Sequence, residues 1–143
     1  MSTDLGGERK RLAVRVLTPE GPVFTGDVTM VVAPSVLGEV GILPRHAPLI
    51  AFLKPGETRL KTMEDTEVVL ATSEGYLSVE EDQVLILVEQ AEEARAIDRA
   101  RAEAALRRAE EDLEAAGDDE AARGAAESAR RRAENRLRVA DRT

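Results

Sequence analysis

The pattern of hydrophobic and polar positions changes once along this chain, near Glu89. Before that residue, short runs of branched aliphatic residues alternate with polar ones, a period of two that is typical of half-buried β-strands. Clusters of turn-forming residues separate the runs, and the predicted turns cover residues 19–22, 25–27, 54–57, 63–65 and 80–82. The predicted strands cover residues 12–17, 28–32, 49–53, 58–61, 68–71, 76–79 and 84–88. Residues 38–49 are predicted to form a strand, a tight turn and a second strand.

Many short strands at this spacing are typical of a β-sandwich or a flattened barrel. The only aromatic residues are Phe24, Phe52 and Tyr76, and the chain contains no Trp. Any core must therefore consist of Val, Leu, Ile and Ala. We predict an antiparallel β-sandwich, or flattened barrel, over residues 1–90.

Beyond Glu89 the chain is dominated by Ala, Glu and Arg, which are strong helix formers. Apolar residues recur there at steps of three and four, the spacing of one helical face. Gly117 and the aspartates after it suit a helix C-terminus followed by a new N-cap. The fold class is therefore α+β, with an antiparallel two-helix hairpin over residues 91–143. The two stripes are Ala102, Ala105, Leu106, Ala109, Leu113, Ala116 and Ala122, Ala126, Ala129, Ala133, Leu137, Ala140.

Both helical stripes consist mainly of alanine. Because burial contributes about 0.8 kcal/mol per CH₂ group, an alanine seam stabilises far less than a leucine seam of equal length. The helices are thus expected to form readily but to dock weakly, which describes a mobile hairpin on a rigid sandwich. The alternative is a permanently folded hairpin that caps the sandwich.

The net charge of -8 argues against nucleic-acid binding, which requires a basic surface. Residues 121–143 nevertheless carry seven Arg against three acidic residues. These arginines either keep the helix solvated through pairs such as Glu127–Arg131 and Glu134–Arg138, or take part in an interaction that the rest of the acidic chain does not make. The candidate contact residues are Arg123, Arg130, Arg131, Arg132, Arg136 and Arg138.

Nothing in the sequence predicts catalysis or a metal site. There is no Cys, and His46 is the only histidine, without an acidic partner at a recurring spacing. Phosphate-binding glycine loops are also missing. Residues 1–11 are polar and mixed in charge, so we expect neither a signal nor a transit peptide. No apolar stretch is long enough to cross a bilayer, and membrane association is expected only through a partner.

Residues 38–49 read GEVGILPRHAPL. This segment resembles the G-E-x-G-I-x-P-G-H-A-P-L loop of the epsilon subunits of F-type ATP synthases, with Arg45 where that pattern usually has glycine. The resemblance implies a non-catalytic subunit of the central stalk. Its partners would be the gamma subunit, the c-ring and the alpha/beta catalytic head, at the cytoplasmic face of the bacterial plasma membrane.

In the family, one edge of the sandwich faces the c-ring while another face binds gamma. The resemblance implies contact residues at Val36, Leu37, Glu39 and His46. Residues 34–37 are expected to form a loop that either exposes its two apolar residues or folds back onto the sandwich. The rival interpretations of the whole chain are a free-standing nucleotide sensor and a coiled-coil adaptor.

Residues 97–102 read IDRARA and resemble the I/L-D-x-x-R-A motif of epsilon subunits whose folded hairpin binds ATP. The resemblance implies no required cofactor, with ATP as an allosteric ligand that holds the hairpin folded. It also implies that the extended hairpin inhibits ATP hydrolysis by contacting the beta subunits. Alternatively, Asp98 is only an N-cap and the arginines pair with neighbouring glutamates. A second-helix arginine of the family aligns with Asn135, beside Arg136. The implied ATP residues are Glu92, Ile97, Asp98, Arg101, Ala102, Arg108, Arg131 and Arg132.

Overall fold

The computed structural model describes residues 10–142. Its contacts divide the chain into two compact units, with the division after Glu92. The first unit contains the sheet. Its strands are β1 (Leu12–Thr18), β2 (Gly21–Ser35), β3 (Gly38–Ile42), β4 (Leu49–Leu53), β5 (Gly56–Thr62), β6 (Glu67–Thr72), β7 (Gly75–Glu80), β8 (Gln83–Val88) and β9 (Ala91–Glu93).

The strands hydrogen-bond in the order β1-β8-β7-β4-β2-β5-β6-β9, with β3 beside β2. The 15-residue β2 also pairs with β1 and so joins the two sides of a flattened barrel. β1 runs parallel to β8, although the sequence predicted antiparallel strands. The predicted β-sandwich is confirmed, and its core is entirely aliphatic, built around Leu12, Val14, Val16, Val31, Leu60, Leu70, Leu77 and Ile86.

Two local predictions in the sheet are wrong. The turn expected at residues 25–27 lies inside β2, because Thr25 and Gly26 continue the antiparallel ladder opposite β1 and thereby satisfy their backbone groups. The loop expected at residues 34–37 is shorter, since Pro34 and Ser35 are buried members of β2. Only the next two residues form the turn.

The second unit contains a short 3₁₀ helix (Ala94–Ala96), α1 (Arg99–Ala116) and α2 (Glu120–Ala140). Asp98 caps α1 by accepting from the Arg101 amide at 3.1 Å, and Asp119 caps α2 by accepting from the Ala122 amide at 3.1 Å. Gly117 ends α1 with φ +55, a conformation that favours glycine. The predicted hairpin is confirmed.

Alanine forms the seam between the helices, as predicted. The fully buried seam residues recur every seven positions, and half-buried leucines flank them. Ala105 does not belong to the seam, because it lies on the exposed side of α1. Asn135 and Val139 are buried in α2 although neither was predicted. The buried alanines are Ala102, Ala109, Ala126, Ala133 and Ala140.

Candidate protein-interaction surfaces

The outer side of the sandwich carries a row of apolar residues across four adjacent strands, β4, β7, β8 and β1. Phe52 lies opposite Tyr76, Tyr76 opposite Leu87, and Leu87 opposite Leu17. Directly opposed residues project from the same face of a sheet. Their sequence neighbours on the strands fill the core, so this row faces outward.

A second row runs beside the first one. Ile50 pairs with Ser78, Ser78 with Leu85, and Leu85 with Arg15. Ile50 is 69% exposed and Phe52 67% exposed, both unusually high for large apolar side chains. We call Leu17, Ile50, Phe52, Tyr76, Leu85 and Leu87 the outer apolar face. Contiguous exposed apolar surface marks protein contact sites.

A groove of about 440 Å³ lies at one end of this face, where β1 ends and β7 begins. Its lining includes Leu17, Tyr76 and Leu87, together with the acidic residues Glu74 and Glu89. β7 and β8 approach each other closely here at Gly75, where a Cβ atom would lie 1.9 Å from the Leu87 carbonyl oxygen. Apolar and acidic residues thus line the same groove.

The turn between β2 and β3 extends this apolar surface. The Val36 amide donates to the Phe52 carbonyl at 2.9 Å, which places the turn beside the end of β4. Ser35 Oγ accepts from the Leu37 amide at 3.1 Å and donates to the Gly38 carbonyl at 2.6 Å, so the turn is well supported. Val36 is 57% exposed and Leu37 97% exposed. The alternative of a loop folded back onto the sandwich is therefore wrong.

Residues 43–48 connect β3 to β4 and carry the only histidine. The His46 amide donates to the Leu43 carbonyl at 3.1 Å, and its Nδ1 lies 2.7 Å from the Ala47 carbonyl. Because a carbonyl only accepts, Nδ1 must be the donor of this hydrogen bond. Arg45 has φ +70, which explains why the resembled pattern usually has glycine there.

Glu39 belongs to a small charged cluster centred on Arg59. The Arg59 guanidinium lies 3.2 Å from Glu39, 3.1 Å from Glu57 and 3.8 Å from Glu67. Burial alone would lower the pKa of Arg59, but hydrogen bonds and attraction from Glu57 and Glu39 raise it. The arginine thus stays protonated, and any partner that contacts Glu39 competes with this ion pair.

The motif residues of the hairpin surround the start of α1. Ile97 ends the 3₁₀ helix, and the Asp98 carboxylate is engaged as the cap. Ala102 is fully buried in the seam. The Arg101 side chain is exposed. Glu92 lies in β9, in the other compact unit.

The remaining candidate ATP residues are arginines on the two helices. Arg108 is exposed on α1, while Arg132 is half-buried on α2. Arg131 donates to Ser128 Oγ at 3.4 Å on its own helix. These contacts do not test whether the arginines bind phosphate. The ATP site therefore stays a prediction.

The basic half of α2 makes mostly local contacts. Arg123 donates to the Gly117 carbonyl at 3.3 Å, and Arg138 donates to Asn135 Oδ1 at 3.3 Å. Arg136 is half-buried. Arg130 is half-buried too, and its Nε has no hydrogen-bond partner within the described residues. Within residues 10–142, neither of the predicted pairs Glu127–Arg131 and Glu134–Arg138 forms an ion pair.

Sequence reasoning missed two features. The outer apolar face was missed although residues 49–53 and 84–88 are apolar at both odd and even positions, a signal that both faces of these strands are covered. An ion pair between Arg99 and Asp141 was also missed. The sequence contains a signal for it, because Arg99 begins α1 and Asp141 follows α2. An antiparallel hairpin brings these two positions together.

Comparison with known proteins identifies the family. Residues 11–94 match the model of the ATP synthase delta/epsilon chain β-sandwich domain, and residues 95–141 match that of its long α-helix domain. The chain belongs to the ATP synthase delta/epsilon chain family. The resemblance of residues 38–49 to epsilon subunits is thereby confirmed, and an epsilon chain is a subunit of an enzyme complex.

The curated relatives are themselves epsilon chains. The epsilon chain of Anoxybacillus flavithermus is 50% identical over 99 residues, covering 69% of this chain and 73% of that protein. That of Alkalihalophilus pseudofirmus is 52% identical over 97 residues, covering 68% and 72%. That of Bacillus subtilis is 47% identical over 99 residues, covering 69% and 74%.

Solved structures share the fold at low sequence identity. A chain of the Euglena gracilis mitochondrial ATP synthase, in a structure of its OSCP, F1 and c-ring parts, superposes with a TM-score of 0.73 at 20% identity, covering 94% of this chain and 86% of that one. A chain of the Tetrahymena thermophila central stalk and c-ring gives 0.51 at 14% identity, covering 66% and 72%. Across residues 10–142, no helix is long and apolar enough to span a membrane. No group of three or more His, Cys, Asp or Glu side chains is arranged there to hold a metal ion.

Proposed function

We propose that this chain is a rotor subunit of the central stalk of a proton-translocating ATP synthase. The sandwich binds the gamma subunit and the c-ring and helps to transmit rotation, while the hairpin regulates hydrolysis in the alpha/beta head. The chain itself carries out no chemical step. It associates peripherally with the cytoplasmic side of the bacterial membrane, through the complex alone.

The outer apolar face is the observation that supports docking to gamma. Ile50 and Phe52 would each gain stabilisation on burial, at roughly 25 cal/mol per Å² of apolar surface. The 43–48 loop leads directly into β4, so His46 belongs to the same docking region. The turn with Val36 and Leu37, and Glu39 beside it, forms the contact with the c-ring.

Binding to gamma tests the docking role. Phe52→Ser should weaken binding of this chain to purified gamma subunit by about thirtyfold or more, since central buried aromatics commonly contribute 2 kcal/mol or more. Val69→Ser is the matched control, because Val69 is half-buried on β6, in another part of the sheet. Equal affinity of the Phe52 variant and the wild type would disprove the assignment of this face.

The alanine seam supports a regulatory hairpin. Its helices have high intrinsic propensity, but their contact buries small side chains. The hairpin can thus open without loss of the helices themselves. Once extended, α2 presents Arg123, Arg130–Arg132, Arg136 and Arg138 to an acidic segment of the beta subunits and blocks rotation in the hydrolysis direction.

Removing residues 91–143 tests inhibition within the complex. The truncated chain loses the short edge strand β9 but should still assemble, because the buried residues of the sandwich core all lie before residue 91. ATPase activity should then rise. Replacing the six candidate arginines by Gln in the full chain should raise activity similarly while both helices remain. Unchanged ATPase activity in both variants would refute the inhibitory role.

ATP is proposed as an allosteric ligand of the folded hairpin, held by Asp98, Arg101, Arg108, Arg131 and Arg132. A guanidinium can bind phosphate oxygens through two parallel hydrogen bonds. Binding only to the folded form would stabilise it by RT ln(1 + [L]/Kd). Calorimetric titration of ATP into the isolated chain should therefore give saturable binding that Arg101→Gln abolishes.

A free-standing adaptor or nucleotide sensor is the alternative function. Such a protein would remain soluble when synthase complexes are isolated from the source cells. Co-purification of this chain with gamma distinguishes the two, and its absence from the purified complex would favour the alternative.

A further inference from the structure

Three neighbouring residues adopt a backbone conformation that L-residues rarely take. Arg45 has φ +70, Glu81 φ +49 and Asp82 φ +62. Glu81 and Asp82 form the two-residue turn between β7 and β8, where Glu80 pairs with Gln83. Two-residue turns of type I′ have positive φ at both central positions, as Glu81 and Asp82 do. Arg45 lies in a different turn, which the hydrogen bond from the His46 amide to the Leu43 carbonyl closes, and its φ is positive at the third position, where glycine is usual. Because arginine adopts this conformation only at a cost, it gains from a support outside the turn.

Asp82 provides that support. Leu49 at the start of β4 lies opposite Val79 near the end of β7. The loop before β4 therefore lies beside the turn after β7. Across this junction, the Arg45 amide donates a 2.6 Å hydrogen bond to Asp82 Oδ1. Hydrogen bonds to a charged carboxylate are stronger than those between neutral groups.

The turn that holds Arg45 is itself anchored. The Asp82 carbonyl accepts from the Ala13 amide at 2.8 Å, which ties the turn to the beginning of β1. Residue 82 thus joins the rigid barrel to the loop through two separate groups, its carbonyl and its carboxylate. The donor N–H belongs to the peptide group between Pro44 and Arg45, so the bond fixes the chain immediately before His46.

We infer that Asp82 is a positioning residue for partner binding. Its carboxylate keeps Arg45 in the left-handed conformation and so holds the His46 loop in its docking shape, where a glycine at position 45 would need no such help. This inference rests on the proposed function, in which His46 belongs to the gamma-binding region. In this role Asp82 does not itself contact the gamma subunit.

Variants at positions 82 and 45 separate this role from simple turn stability. Asp82→Gly removes the carboxylate while easing the positive φ of its own turn, whereas Asp82→Asn keeps an Oδ1 acceptor and tolerates that φ. Arg45→Gly relieves the loop of its conformational cost. Affinity for purified gamma subunit and NMR amide exchange at Arg45 and His46 are the two measurements, and the melting temperature verifies folding.

Asp82→Gly should weaken gamma binding about tenfold, equivalent to 1.4 kcal/mol, and should accelerate exchange at the Arg45 amide. Asp82→Asn should stay within about twofold of wild type, equivalent to about 0.4 kcal/mol. Adding Arg45→Gly to Asp82→Gly should restore binding. The inference would be overturned if Asp82→Gly bound gamma and exchanged its Arg45 amide like the wild type. It would also be overturned if the double variant still bound gamma weakly. If the wild-type chain binds no gamma, the proposed function fails, and the exchange rate at Arg45 then decides alone whether Asp82 holds the loop.

Discussion

Arg99 and Asp141 form an ion pair that joins the first residue of α1 to the residue that follows α2. The two residues lie 42 positions apart in sequence and close the open end of the hairpin. The Gly117 turn connects the helices at the other end. Both ends of the weak alanine seam are therefore held, one covalently and one by charge.

Breaking this ion pair should loosen the hairpin slightly. Both side chains are more than half exposed, so Arg99→Ala is expected to destabilise the closed hairpin by only about 0.2–1 kcal/mol. The distance between spin labels on α1 and α2 reports the closed fraction. High salt should reduce the difference between wild type and variant, because it screens exposed charges.

The charge-reversed pair provides the control. Arg99→Asp and Asp141→Arg should each open the hairpin more than the alanine variant does, and the double variant should recover most of the loss. Independent, additive effects of the two reversals would show that these side chains do not interact in solution.

Gly124 weakens α2 without any packing reason. It lies on the exposed side of the helix, and a Cβ atom there would meet nothing within 4 Å. Gly124→Ala should therefore stabilise α2 by about 0.5–1 kcal/mol, measured as increased helicity and a higher melting temperature of the hairpin. Gly117→Ala should have the opposite effect, since Gly117 has φ +55 in equally open space. A loss of stability in the Gly124 variant would contradict this account.

The sequence predicted the parts of the fold in which local signals agree. The period-two runs, the alanine stripes and the caps at Asp98 and Asp119 all mark their elements directly. It failed where long-range pairing overrides a local signal. Gly26 resembles a turn residue, yet it continues β2 because β1 supplies its hydrogen bonds.

The interaction surfaces were only partly predictable. Exposure of Val36 and Leu37 was one of two alternatives that the sequence left open for their loop. The outer apolar face depends instead on which strands are neighbours, and the parallel pairing of β1 with β8 cannot be read from local periodicity. The same limitation hid the hydrogen bond between Arg45 and Asp82, whose residues are 37 positions apart.

Gly75 should be one of the least replaceable residues of the sandwich. A Cβ atom there would lie 1.9 Å from the Leu87 carbonyl oxygen and 2.8 Å from Val88 Cα, both of them backbone atoms. Gly75→Ala must push β7 away from β8, and we expect a loss of about 2–4 kcal/mol in the free energy of unfolding, in the range of severe point mutations. Urea denaturation measures this loss. Gly41→Ala is the matched strand control, because nothing lies within 4 Å of its Cβ position, and it should change stability by less than about 1 kcal/mol. Similar behaviour of the two variants would show that β7 adapts freely.

Overfilling the alanine seam should open the hairpin and strengthen inhibition. Ala133 is 3% exposed, and Ala133→Leu adds three carbon atoms between helices that approach closely around small side chains. Overpacking of this kind typically destabilises the packed state by about 1–3 kcal/mol. Alanine and leucine differ little in helix propensity, so the helix itself should be almost unaffected. The extended form should become more populated, so spin-label distances across the hairpin should lengthen and ATPase activity of the assembled complex should fall. Ala104→Leu is the control, since Ala104 is exposed on α1 and outside the seam. Lower ATPase activity with an unchanged hairpin distance would separate inhibition from hairpin opening and would argue against the proposed regulation.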